Sequence, residues 1–128
     1  RYGKGDGTDA VRVSREEINQ KMSRITSRLK ASITGRDGGA YYNFGEYSIS
    51  LFDHSELHGP EESRALFDMA AVAIVKNPAW AVQKEIPAPY YENDAWTIYP
   101  DNARTILIWD QFNRDAIVND FFTVVTDL

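Results

Sequence analysis

The two histidines of the chain lie close together, in the run Asp53-His54-Ser55-Glu56-Leu57-His58. On an extended backbone His54, Glu56 and His58 would project to one side, and on a helix the two imidazoles would be neighbours at i, i+4. Either arrangement offers two ring nitrogens and a carboxylate to a divalent metal, or an imidazole with a carboxylate orienter for proton transfer. Such a trio would suit a small hydrolase or metal-dependent enzyme, with a histidine as general base or ligand and Glu56 as its partner. The order departs from the zinc-protease motif, in which Glu directly follows the first His. A polar loop joining a strand to a helix is the more economical reading, and no metal or cofactor is assigned.

A second group pairs aromatic rings with acids. Trp80, Tyr90, Tyr91, Trp96, Tyr99, Trp109 and Phe112 are interleaved with Glu85, Glu92, Asp94, Asp101 and Asp110. Tyr and Trp join an apolar body to a polar tip, which suits interfaces and the stacking of sugars. The run Ile86-Pro87-Ala88-Pro89-Tyr90-Tyr91 cannot be a central strand, and a proline-stiffened loop loses little entropy on binding. Tyr90, Tyr91 and Trp96 are therefore candidate binding residues for a protein, a carbohydrate or a small ligand, against the alternative that these rings fill the core.

The third group is a stripe. Ile18, Met22, Ile25, Leu29 and Ile33 recur at a 4-3-4-4 spacing, flanked by Arg15, Lys21, Arg24, Arg28 and Lys30. Ser14 and Glu17 form a capping box ahead of it, so an amphipathic basic helix is predicted over residues 14–33. The stripe is expected to pack on its own domain, or to dock Ile18, Met22, Ile25 and Leu29 into a partner's groove with Arg24 and Arg28 steering the approach.

Charge sharpens this picture. The chain carries 14 Lys/Arg and 19 Asp/Glu; residues 1–36 hold 9 of the bases and 4 of the acids, leaving 5 and 15 for the rest. An acidic body with one basic helix is poorly matched to a polyanion, so nucleic acid is disfavoured. Cysteine is absent, which removes disulfides, thiolate metal sites and thiol nucleophiles. No apolar run reaches the roughly 20 residues that span a bilayer, so no membrane partner is expected. The Gly5-Asp6-Gly7-Thr8-Asp9 run lacks the Gly and the ligand that a calcium loop requires at its sixth and fifth positions. No phosphate loop or nucleophile elbow is present.

The elements that must position these groups follow from periodicity and punctuation. Residues 1–10 read as a flexible lead-in to a single domain of residues 1–128, and a start at Arg1 reads as a processed product or an excised piece. Ala40 to Phe52 reads as extended, since Tyr47, Ile49 and Leu51 alternate with Ser48, Ser50 and Phe52. Gly59-Pro60-Glu61-Glu62 opens a second helix over residues 60–77, almost wholly apolar from Ala65 to Val75 and so expected at the centre. Strands follow over 80–86, 96–99 and 104–109, then a short helix near 113–120 and a terminal strand. The expected fold is α+β, with an antiparallel sheet of about four to five strands packed on the central helix. The function expected is a soluble, non-catalytic module that binds another protein or assembles with its own copies.

Overall fold

The computed structural model describes residue 5 and residues 7–127. Among these, four α-helices and eight short strands make up an α+β architecture. The expected lead-in lies partly outside the described residues. Its described part holds a 3-10 turn at Thr8–Ala10, with Asp9 buried.

β1 (Arg12–Ser14) runs into α1 (Arg15–Met22), whose start is set by the predicted capping box. Ser14 Oγ accepts from the Glu17 N–H at 3.1 Å, and Glu17 Oε2 accepts from the Ser14 N–H at 2.9 Å. The helix predicted over 14–33 stops at Met22. Ser23, Thr26 and Ser27 bring hydroxyls that compete with helical hydrogen bonds, and Ser23 Oγ donates to the Gln20 carbonyl at 3.2 Å. The chain then runs irregularly to β2 (Ile33–Thr34), which pairs with β3 (Ala40–Tyr41).

α2 (Phe44–Asp53) replaces the strand expected over Ala40–Phe52. Asn43 caps it, its Oδ1 accepting from the Glu46 N–H at 2.7 Å. That local bond starts a helix whose buried positions include Gly45, Ser48 and Phe52, on one helical face. The Tyr/Ile/Leu alternation with serine belongs to the same helix seen around its circumference. Gly45 is where α2 meets the end of α1. A Cβ there would lie 2.1 Å from the Met22 carbonyl oxygen.

The helix expected over 60–77 is shorter and shifted. Gly59 to Glu62 form a turn closed by the His58–Ser63 bridge, with left-handed φ of 74° at Gly59 and 50° at Glu62. β4 (Ser63–Ala65) pairs antiparallel with β1, and only then does α3 (Phe67–Lys76) begin. It is not central. Ala70 and Ala73 are buried, while Val72 and Val75 are 68% and 84% exposed. The apolar composition of this segment therefore marks a surface helix whose inward face joins Ala70 and Ala73 to the partly buried Met69 and Ile74.

The core lies where β1, α1, α2, α3 and the last helix meet: Val11, Val13, Ile18, Met22, Phe52, Ala70, Ile117, Val118 and Phe122 pack there. α4 (Arg114–Thr126) is one continuous helix, capped by Asn113, in place of the expected short helix and terminal strand. Ile117, Phe121 and Val125 recur at its inward spacing, so burial outweighs the β preference of the Phe121–Val125 run.

The remaining strands do not join into one sheet. Each of the four ladders is a two-stranded antiparallel pair, in place of the four to five strands expected. β5 (Val82–Pro87) pairs with β8 (Thr105–Asp110), and nested between them β6 (Tyr90–Glu92) pairs with β7 (Ala95–Thr97). Pro87 and Pro89 lack the N–H that a continuing ladder needs. The result is a jointed arm over residues 82–110. Its base is held by Trp80, Ala81 and Trp109 against the core, and by the Asn113 N–H donating to the Trp80 carbonyl at 2.7 Å.

Candidate functional site

The far end of the arm gathers the aromatic candidates. Asn93 and Asp94 both take left-handed φ, 50° and 58°, in the two-residue connection from β6 to β7. That geometry matches the twist of the strands it joins, and Asn and Asp adopt it most readily after glycine. The tight turn sets Tyr91 directly opposite Trp96 and Tyr90 opposite Thr97. The Tyr91 and Trp96 rings lie 5.1 Å apart, and Tyr90 meets Tyr99 edge-on at 5.8 Å. These rings pack on one another and not on the core. Tyr90, Tyr91 and Trp96 are 55%, 61% and 71% exposed, with Ile98 and Tyr99 also open to solvent. Tyr91 and Trp96 share one face of the hairpin, and Tyr90 lies with Tyr99 on the other, so each face presents an exposed aromatic pair.

Acids frame this tip. The Tyr99 hydroxyl donates to Glu92, which pushes the Tyr99 phenol above its ordinary pKa. Asp94 and Asp101 are exposed beside it in the chain. Exposed rings with acids beside them are suited to guanidinium or ammonium groups over the ring faces and to shape-matched apolar contacts. Of the three candidates, Tyr91 and Trp96 are thus brought together, and Tyr90 lies on the opposite face of the same hairpin.

The His54, Glu56 and His58 segment is used differently. His54 sits at the C-terminus of α2, with Nδ1 2.8 Å from the Ser50 carbonyl and Nε2 4.0 Å from Asp37. The Glu56 carbonyl accepts from Arg64 at 2.9 Å, and His58 forms the backbone bridge with Ser63. Among the described residues no three His, Asp or Glu side chains are placed to share a metal ion. The neighbour that sequence spacing did not reveal is Asp37. Its carboxylate takes the Tyr41 hydroxyl at 2.6 Å and the Gly39 N–H at 2.8 Å, and these bonds hold it below the usual carboxylate range. This cluster clasps the 33–41 hairpin to the end of α2. An Asp-Gly-Gly turn beside an aromatic strand was its only signal in the sequence.

The basic stripe is divided. Ile18, Met22 and Ile25 are buried in the chain's own core, and Leu29 is exposed. Arg24 is exposed; Arg28 lies 3.5 Å from Glu46 and stacks 4.7 Å from the Tyr42 ring centre. Packing on its own domain accounts for the 4-3 spacing from Ile18 to Ile25. A surface depression of about 620 Å³ lies between α1 and the 60–62 turn, lined by Arg15, Glu16, Asn19, Gln20, Pro60, Glu61 and Glu62. Arg15 spans it through ion pairs with Asp53 and Glu62. None of the sequence-predicted site residues lines it.

No helix among the described residues is long and apolar enough to cross a membrane. No protein-family model, curated protein or solved structure matches the chain.

Proposed function

We propose that the chain is a non-catalytic protein-binding module whose recognition surface is the aromatic tip of the arm. One observation carries this reading: Tyr90, Tyr91 and Trp96 are each more than half exposed on one tightly turned hairpin. Stiff aromatic side chains on a short turn bury much area at little entropic cost, which is the usual make-up of interface hot spots. The acids Glu92, Asp94 and Asp101 favour a partner surface bearing Arg or Lys. The basic stripe, buried in large part within the fold, plays no part in this reading.

The test compares proteins retained by the intact chain with those retained by a Tyr91→Ala/Trp96→Ala variant of equal stability. A partner held by the first, lost by the second and weakened by added salt supports the proposal. Identical retention by both overturns it. The open Tyr91–Trp96 pair also favours a second reading, a sugar or small-ligand platform. Trp96 fluorescence against a ligand panel separates the two, since a saturable change without any protein partner supports the second.

A further inference from the structure

The base of the arm carries a second surface of different character. The β5–β8 ribbon has two open edges, and they are unlike. β5 carries Lys84, Glu85 and Pro87, devices that blunt an edge against pairing. β8 reads Thr105-Ile106-Leu107-Ile108-Trp109-Asp110, uncharged until its last residue and without proline. Among the described residues β8 pairs with β5 alone.

The hydrogen-bond phase of that open edge can be worked out. The Ala88 N–H donates to the Arg104 carbonyl at 2.8 Å, one step beyond the Pro87–Thr105 pair. Bonding pairs alternate along an antiparallel ladder, so Ile106 and Ile108 bond β5 while Thr105, Leu107 and Trp109 turn N–H and C=O outward. Leu107, at the middle of this edge, is 60% exposed.

We infer that β8 pairs antiparallel with β8 of a second copy about a two-fold axis at Leu107, making a four-stranded sheet from two ribbons. This inference rests on the reading of the chain as an interaction module. In that register Leu107 faces Leu107 of the other copy, Ile106 faces Ile108, Thr105 faces Trp109, and Arg104 faces Asp110. Shifting the axis to Ile106 or Ile108 sets Arg104 or Asp110 against an isoleucine, so charge complementarity selects Leu107. The axis makes every contact occur twice. Asp110 has reason to accept the arginine. Its Oδ2 takes Lys84 Nζ at 2.8 Å from the β5 side, while its Oδ1 is buried without a hydrogen-bond partner.

Cross-linking gives the direct test, because the chain has no cysteine of its own. Leu107→Cys places two thiols across the axis at a Cα separation of about 5.5 Å, within disulfide range. Under mild oxidation this variant should convert to a covalent dimer, while Asn119→Cys on the exposed side of α4 stays monomeric. Sedimentation of the uncross-linked chain should show a monomer–dimer equilibrium. Arg104→Asp should weaken it roughly tenfold or more, and Arg104→Asp/Asp110→Arg should restore it. A chain that is monomeric at every concentration, with Leu107→Cys cross-linking no faster than Asn119→Cys, overturns the inference. That outcome leaves the tip unaffected, since tip binding is read through Tyr91 and Trp96.

Discussion

Arg114 grips both carboxylate oxygens of Glu17, at 2.7 and 2.6 Å, across 97 residues of sequence. The same guanidinium donates through Nε to the Arg12 carbonyl at 2.8 Å. Glu17 is meanwhile the closing member of the α1 capping box. One carboxylate thus fixes the start of the first helix and the position of the last. Ser14→Ala should cost about 1 kcal/mol through the lost cap. Arg114→Met should cost more, because it leaves Glu17 and the Arg12 carbonyl without their partner. Urea unfolding of both variants checks the order.

Acid should loosen the fold through the same group. Partial burial works to raise the Glu17 carboxyl, but bonds from Arg114 and the Ser14 amide outweigh it and hold it below its ordinary 4.5. A carboxyl depressed in the folded state contributes stability that is fully present above the unfolded value and fades as pH falls through the folded one. Asp37, held down by Tyr41 and Gly39, acts in the same direction from its ordinary 3.8. Melting temperature should therefore fall as pH drops from about 5 toward 3, and Arg114→Met should flatten that slope.

Gly45→Ala tests the crossing of α1 and α2. The added carbon would meet the Met22 carbonyl oxygen at 2.1 Å and Ile25 Cβ at 3.0 Å. Backbone cannot yield as a flexible side chain would, so a loss of about 1–3 kcal/mol is expected, against the slight gain that Ala brings to an open helix position. Thermal unfolding reads the sign directly.

Core and surface positions should respond unequally to truncation. Ile117→Ala, in the centre of packing, should cost about 2–5 kcal/mol. Trp96→Ala and Val75→Ala, at exposed positions, should stay within about 0.5 kcal/mol of the parent. Loss of Trp96 should also remove the most readily quenched tryptophan emission, since Trp80 and Trp109 pack against the core. Acrylamide quenching of the folded variants checks this.

Punctuation in the sequence was more legible than extent. The Ser14/Glu17 box, the Asn77-Pro78 stop and the β preference of Thr105–Trp109 all correspond to real boundaries. What failed was propagation from those points. The 4-3 spacing past Met22 continues as a buried loop residue, Ile25, because a core needs apolar side chains at that depth whether or not the backbone is helical. Asn43 followed by Glu46 was a cap signal hidden beneath a period-two alternation, and the cap prevailed. The aromatic tip could be read from Pro87, Pro89 and the rings that follow, since proline ends a ladder locally. The disposition of β8's edge required its partner strand, whose paired residues lie 18 to 28 positions away in the sequence.

The clasp between Arg12 and Arg114 bears on the order in which the molecule can fold. Val11 and Val13 pack in one cluster with Ile117, Val118 and Phe122, more than 100 residues further along the sequence. A core sealed by so distant a segment cannot assemble from either side alone, so a chain cut before Asn113 should leave Val11, Val13 and Phe52 open to solvent.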